Sequence, residues 1–207
     1  MNTLGEDRGR MLRTILAMGS EGASRALSRW LGMDVRLTLG EVELVDLATA
    51  AGALGPPESL VAACAMGLTG GLGGAMLLCF EDRDGLALAD LLLRRPVGTA
   101  TEWGEVERSA AMETANIVAC AYLNALAAHL PTGEGAGLAP TPPTFLHEFA
   151  GCLIEFAVMG QAAELDRVLL AGTTFEVVGS GDLGWTLLFV PDAPALASLS
   201  AALGGPA

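Results

Sequence analysis

The chain has 207 residues, 52% of them hydrophobic, with a mean hydropathy of +0.49, so it is long enough and apolar enough to bury a core, and disorder is excluded. A formal net charge of −13 argues against nucleic acid and against an anionic membrane surface as partners. All 11 basic residues are arginine, which removes lysine Schiff-base chemistry and a phosphate-loop lysine from consideration.

The first residues, "MNTLGEDRGR", hold no apolar signal core, so a cytoplasmic protein is expected. A long helix is predicted over "GRMLRTILAMGSEGASRALSRWLG" (9–32), then an extended region over "DVRLTLGEVELVDL" (34–47). The Gly- and Pro-punctuated "ATAAGALGPPE" (48–58) reads as a loop. From Ser59 to Phe80 no residue is charged, a length that could span a bilayer. Gly67, Gly70, Gly71, Gly73 and Gly74 fill its middle, however, and two buried strands joined by a glycine hairpin fit better. A short amphipathic helix, "GLALADLLLRR" (85–95), follows.

The same order then returns. A second long helix covers 103–131, with Pro131 at its end, and a Gly/Pro loop covers 131–143. "TPPTFLHEFAGCLIEFAVMG" (141–160) reads as extended, two strands around a glycine turn cover 168–192, and "APALASLSAAL" (193–203) is a short helix. Sliding the first long helix onto the second by 99 positions puts Leu27 on Leu126 and Leu31 on Leu130, which keeps the apolar faces in phase. Each half reads helix, about three strands, helix. The expectation is one α+β domain over 1–207, with mostly antiparallel strands and a pseudo-two-fold built from repeats at about 9–96 and 103–204.

Chemistry-bearing residues are few. Cys64, Cys79, Cys120 and Cys152 lack zinc or redox spacing and read as buried, reduced thiols. His129 and His147 have no partner spacing, and they suit a helix end and a loop or strand. "TGGLGG" (69–74) is not followed by the Gly-Lys-Ser/Thr of a phosphate loop, and no catalytic triad is signalled.

One feature is specific. In the second long helix Ser109, Glu113 and Asn116 are spaced i, i+4, i+7 and share a face, among Ala110, Ala111, Ala115, Ala119 and Ala121. A solvated helix face accounts for such residues by spacing alone. The functional alternative is a contact surface. Small neighbours let a partner approach, a carboxylate engages a cation, and an amide both donates to and accepts from a water.

The run "SAAMETANI" (109–117) resembles the signature helix of the CheC/CheX/FliY family of chemotaxis phosphatases. "GASRALSRWLGMDVRLTLGEVELVDL" and "GLTGGLGGAMLLCF" also resemble the first half of that family in order and spacing. The resemblance covers nearly the whole chain. It implies a duplicated fold, with two long helices side by side over an antiparallel sheet and smaller helices around it.

It also implies an activity, removal of the phosphoryl group from the aspartyl phosphate of a CheY-type response regulator. Glu113 would bind the regulator's active-site lysine and Asn116 would position the attacking water, with Ser109 in a supporting role. Magnesium would belong to the regulator, so no cofactor or metal ligand of this chain's own is expected. Pro140 stands close to where the family carries a proline. At the corresponding places of the first helix stand Arg10, Thr14 and Ala17, which carry neither the acid nor the amide, so one working centre is expected. The alternative is a non-catalytic adaptor that binds a response regulator, the deamidase CheD or a flagellar-switch component.

Overall fold

A computed structural model of the chain describes residues 6–130, 137–153, 167–177 and 181–202. In chain order the elements are α1 (Glu6–Leu31), β1 (Val35–Asp46), α2 (Leu47–Ala53), β2 (Leu60–Thr69), β3 (Gly74–Glu81), α3 (Asp82–Leu92) and α4 (Glu105–Ala127). There follow β4 (Ala139–Pro140), β5 (Thr144–Phe149), β6 (Arg167–Val177), β7 (Gly181–Pro191) and α5 (Ala193–Ala202).

All strand pairs are antiparallel and make one curled sheet. Its order is β1-β6-β7-β3-β2, and β2 continues to β5 along Leu60–Ala65 and to β4 at Leu68–Thr69. Exchanging β1 with β5, β6 with β2 and β7 with β3 leaves that order unchanged. This is the pseudo-two-fold expected from the repeat, with its axis between β3 and β7.

The charge-free run from Ser59 to Phe80 is a hairpin, not a span, and among the described residues no helix is long and apolar enough to cross a membrane. Its lack of polar alternation has a physical cause, because both faces of β2 and β3 are covered. Ala62, Cys64, Met66, Met76, Leu78 and Phe80 join the core under the long helices. Val61, Ala63, Leu77 and Cys79 join a second core with Ala50, Leu54, Ala150 and Leu153 on the opposite face. Gly70 makes the turn at φ +98°, and a Cβ there would lie 2.6 Å from the Gly137 carbonyl oxygen.

The two long helices bury matching stripes. On α1 these are Leu12, Ile15, Leu16, Ser20, Ala23 and Leu27, and on α4 Ala111, Thr114, Ala115, Ala119, Tyr122 and Leu126, each pair 99 positions apart. They pack side by side as expected, and so closely that a Cβ on Gly19 would stand 2.9 Å from the Tyr122 ring and 3.0 Å from its Cα. Gly22 faces Ala121, so moving forward on α1 moves backward on α4, and the helices are antiparallel.

α1 also closes the sheet edge. Ser28 Oγ donates to the Val35 carbonyl at 3.1 Å and accepts the Val35 N–H at 3.0 Å. Ser24 Oγ accepts the Leu37 N–H at 2.8 Å and donates to the Ser20 carbonyl, while Ser20 Oγ donates to the Leu37 carbonyl at 2.9 Å. Spaced i, i+4, i+8, three serines thus stand in for a neighbouring strand along outward-facing backbone that otherwise invites another chain.

Several expectations need correction. The predicted loop over 48–58 holds α2, because Asp46 caps it (Thr49 N–H to Oδ1, 2.7 Å) and an Ala-rich run favours helix once started. The extended reading of 141–160 holds for β5, but a helical turn begins at Ala150, and 154–160 lie outside the described residues. The short helix predicted over 85–95 begins earlier, at Asp82, with Asp82 and Asp84 in its positive first turn. Pro131 and its supposed helix-ending role lie outside the described residues. Finally, the four thiols are free, but only Cys64 and Cys79 are buried; Cys120 is half-buried and Cys152 is exposed. Burial pushes the Cys64 thiol up to about 12, which leaves it inert.

Candidate functional site

The site begins with how α4 is held. Gly104 caps it with extended backbone and no side-chain bond, and Glu105 and Glu107 sit in its positive first turn. The segment before it is clasped by Asp90, a fully buried carboxylate on α3 that accepts N–H bonds from Gly98, Thr99 and Ala100 at 2.8–3.0 Å. Arg95 joins Asp90 at 3.3 Å to Glu107 at 2.5 Å, and this bond to Arg95 is the chief reason the Glu107 carboxyl lies below its usual range. Buried Trp103 adds a second anchor, its Nε1–H donating to Asp82 at 3.0 Å and its carbonyl accepting from Arg108 Nε at 2.8 Å. His147, on β5, meets the same Asp82 carboxylate at 2.9 Å, and His129 follows α4 with Nδ1 at 2.8 Å from the Ala125 carbonyl. Both histidines stand where the sequence put them, at a helix end and on a strand.

On this fixed rail Ser109, Glu113 and Asn116 come to one outward face. Ser109 and Glu113 are exposed and Asn116 is half-buried, while Ala110, Ala111, Thr114 and Ala115 lie beneath them in the core. Cys120, one turn on, approaches the Asn116 Oδ1 with its sulfur at 3.9 Å. Burial, and after it the Glu113 carboxylate, push the Cys120 thiol up, so it stays protonated and serves as a weak donor to the amide oxygen.

The corresponding trio on α1 has the same frame without the chemistry. Arg10 and Thr14 are exposed and Ala17 is half-buried, matching Ser109, Glu113 and Asn116 position by position. Thr14 spends its hydroxyl on its own helix, donating to the Arg10 carbonyl at 3.0 Å. Among the described residues no group of three or more His, Cys, Asp or Glu side chains is placed to hold a metal ion. Pro140 pairs with Leu68 in the sheet.

Between the long helices runs a groove of about 630 Å³, with Asn116, Cys120 and Asn124 on the α4 wall and Glu21, Arg25 and Arg29 on the α1 wall. The two arginines were not singled out in the sequence. Their i, i+4 spacing in an acidic chain was a visible signal, but the antiparallel register that sets them across from α4 was not.

No protein-family model and no curated protein sequence matches the chain. Solved structures do. FliY of Thermotoga maritima superposes with a TM-score of 0.78 at 17% identity, covering 98% of each chain. The FliM middle domain of H. pylori gives 0.66 at 13% identity, over 97% of this chain and 98% of that one. The chemotaxis protein CheX of Desulfovibrio desulfuricans gives 0.52 at 13% identity, over 86% and 99%. The chain has the fold shared by FliY, the FliM middle domain and CheX, the fold that its Ser-Glu-Asn helix and its repeat implied.

Proposed function

We propose that the chain is a protein phosphatase that hydrolyses the aspartyl phosphate of a CheY-type response regulator, working from α4 in the cytoplasm. The observation that carries this reading is the placement of Glu113 and Asn116 on one outward face of a rigidly held helix, within the fold of FliY and CheX. On this reading 1–207 is one domain of two repeats, about 9–96 and 103–204.

In the mechanism we infer, the exposed Glu113 carboxylate pairs with the regulator's active-site lysine and sets the docking register. Asn116 enters beside the phosphoaspartate. Its N–H₂ and Oδ1 hold a water in line with the phosphorus, and the regulator's aspartate leaves as the carboxylate while the phosphoryl group departs as inorganic phosphate. The magnesium that neutralises the phosphoryl oxygens belongs to the regulator. Asn116 acts by position and needs no shifted basicity, which is why an amide serves. The Cys120 contact restricts its rotation. Ser109 supports the docking face at the start of α4.

A second reading, an adaptor that binds a regulator, CheD or a switch component without turnover, draws on the lost acid and amide at Thr14 and Ala17 and on the shared fold of the FliM middle domain. The lifetime of a phosphorylated CheY-type regulator decides between them. Catalytic amounts of this chain are expected to shorten it. Measurable binding with an unaltered lifetime would establish the adaptor instead.

A further inference from the structure

The groove between α1 and α4 is asymmetric in a way that the repeat makes visible. From the facing pair Gly22 and Ala121, counting back along α4 to Asn116 and forward by the same distance along α1 ends between Arg25 and Arg29. Both arginines line the groove with Asn116. At the other end, where Thr14 and Ala17 stand, the repeat places Asn124 and Ala128 at the positions of Arg25 and Arg29. Looking across from the other helix, the end that keeps the acid and the amide meets two guanidinium groups, whereas the end with Thr14 and Ala17 meets an amide and a methyl group.

The charge balance points the same way. In a chain of net charge −13, the charged residues lining this groove are Glu21, Arg25 and Arg29, a local excess of positive charge. Glu21 meets Arg25 at 3.8 Å with both side chains about 70% exposed, a pairing that a partner's carboxylate can replace at little cost. A partner that binds magnesium beside a phosphoaspartate surrounds that site with carboxylates, and planar guanidinium forks match carboxylates better than any other side chain.

We propose that Arg25 and Arg29 complete the site from α1, as a basic wall that docks the carboxylate-rich rim of the phosphorylated regulator while Glu113 and Asn116 reach into it. The inference rests on the phosphatase reading and deepens it: the helix that lost its own acid and amide contributes to the surviving centre. It also predicts a division of labour, in which α1 contributes to binding alone while α4 carries both the docking carboxylate and the amide that does the chemistry.

The test uses the full chain, with a CheY-type regulator loaded with beryllofluoride as the phosphoryl mimic for Kd and the phosphorylated regulator itself for KM and kcat. Arg25→Glu with Arg29→Glu is compared with Arg36→Glu plus Arg83→Glu, which changes the net charge equally outside the groove. At low salt the groove pair is expected to weaken Kd on the order of tenfold, with KM rising in step and kcat held within about twofold. The difference shrinks as salt is raised. Equal effects from both pairs, or none from either, would overturn the inference. So would inorganic phosphate that competes through the arginines, which would mark a small-anion site instead. Asn116→Ala, run alongside, separates the two levels of the account. If it abolishes turnover while the arginine reversals do nothing, only this inference falls; if the wild-type chain neither binds nor hydrolyses, the functional reading falls and takes the inference with it.

Discussion

Asn116 and Ala17 occupy the same half-buried position on two repeat-related helices, one with an amide and the other with a methyl group. Glu113 and Thr14 form the second such pair, and here the difference is a charge. Side-chain chemistry, not backbone placement, thus separates the two repeat-related faces. Glu113→Ala removes a carboxylate that is exposed and carries no packing, so the fold should be untouched. The regulator's affinity should drop on the order of tenfold, as for loss of a charged contact at an interface. Titration calorimetry with the mimic-loaded regulator checks this, and an unchanged Kd removes the proposed role. This trio was legible in the sequence because its members are neighbours on one helix, where spacing alone sets the face. Arg25 and Arg29 were not, because their meaning depends on the register between two helices far apart in the chain.

At the scale of elements, α1 is more than the emptied copy of α4. Ser20, Ser24 and Ser28 satisfy the outward backbone of β1, whereas the repeat puts Ala119, Leu123 and Ala127 at those positions on α4. Ser24→Ala leaves the Leu37 N–H without its acceptor in a part-buried setting. The expected loss is about 1–3 kcal/mol in chemical denaturation, the cost of an unmet buried donor. A loss below a few tenths would mean that water replaces the hydroxyl there. Nothing in the sequence marks these serines out from an ordinary polar helix face. Their hydrogen bonds became visible once β1 was known to be an edge. α2 was missed for a related reason: glycine and proline punctuation outweighed a short Ala-rich run, and the capping Asp46 read as the end of a strand.

At the scale of the molecule, the halves are interleaved. β1 pairs with β6 and β5 pairs with β2, so each half lends a strand to the other's side of the sheet. The periodicity of β2 and β3 revealed that both faces are buried, and the repeat revealed two copies, but neither encodes which strands become partners. Residues 1–98 and 99–207 expressed separately should therefore each lack cooperative unfolding and amide protection, since β1 and β5 would be left with unpaired backbone. Mixing them should restore structure. Two halves that each melt cooperatively alone would contradict the interleaved sheet.

On α4, Asn116 lines the groove between the two long helices, and the proposed chemistry rests on that one amide. The most direct measurement is the single-turnover decay of a phosphorylated CheY-type regulator with saturating wild-type chain and with Asn116→Ala. The account predicts acceleration by the wild type, and a loss of that acceleration on the order of a hundredfold in the variant, the scale for a misplaced attacking group. Binding should be retained. Acceleration by Asn116→Ala equal to that of the wild type would contradict it.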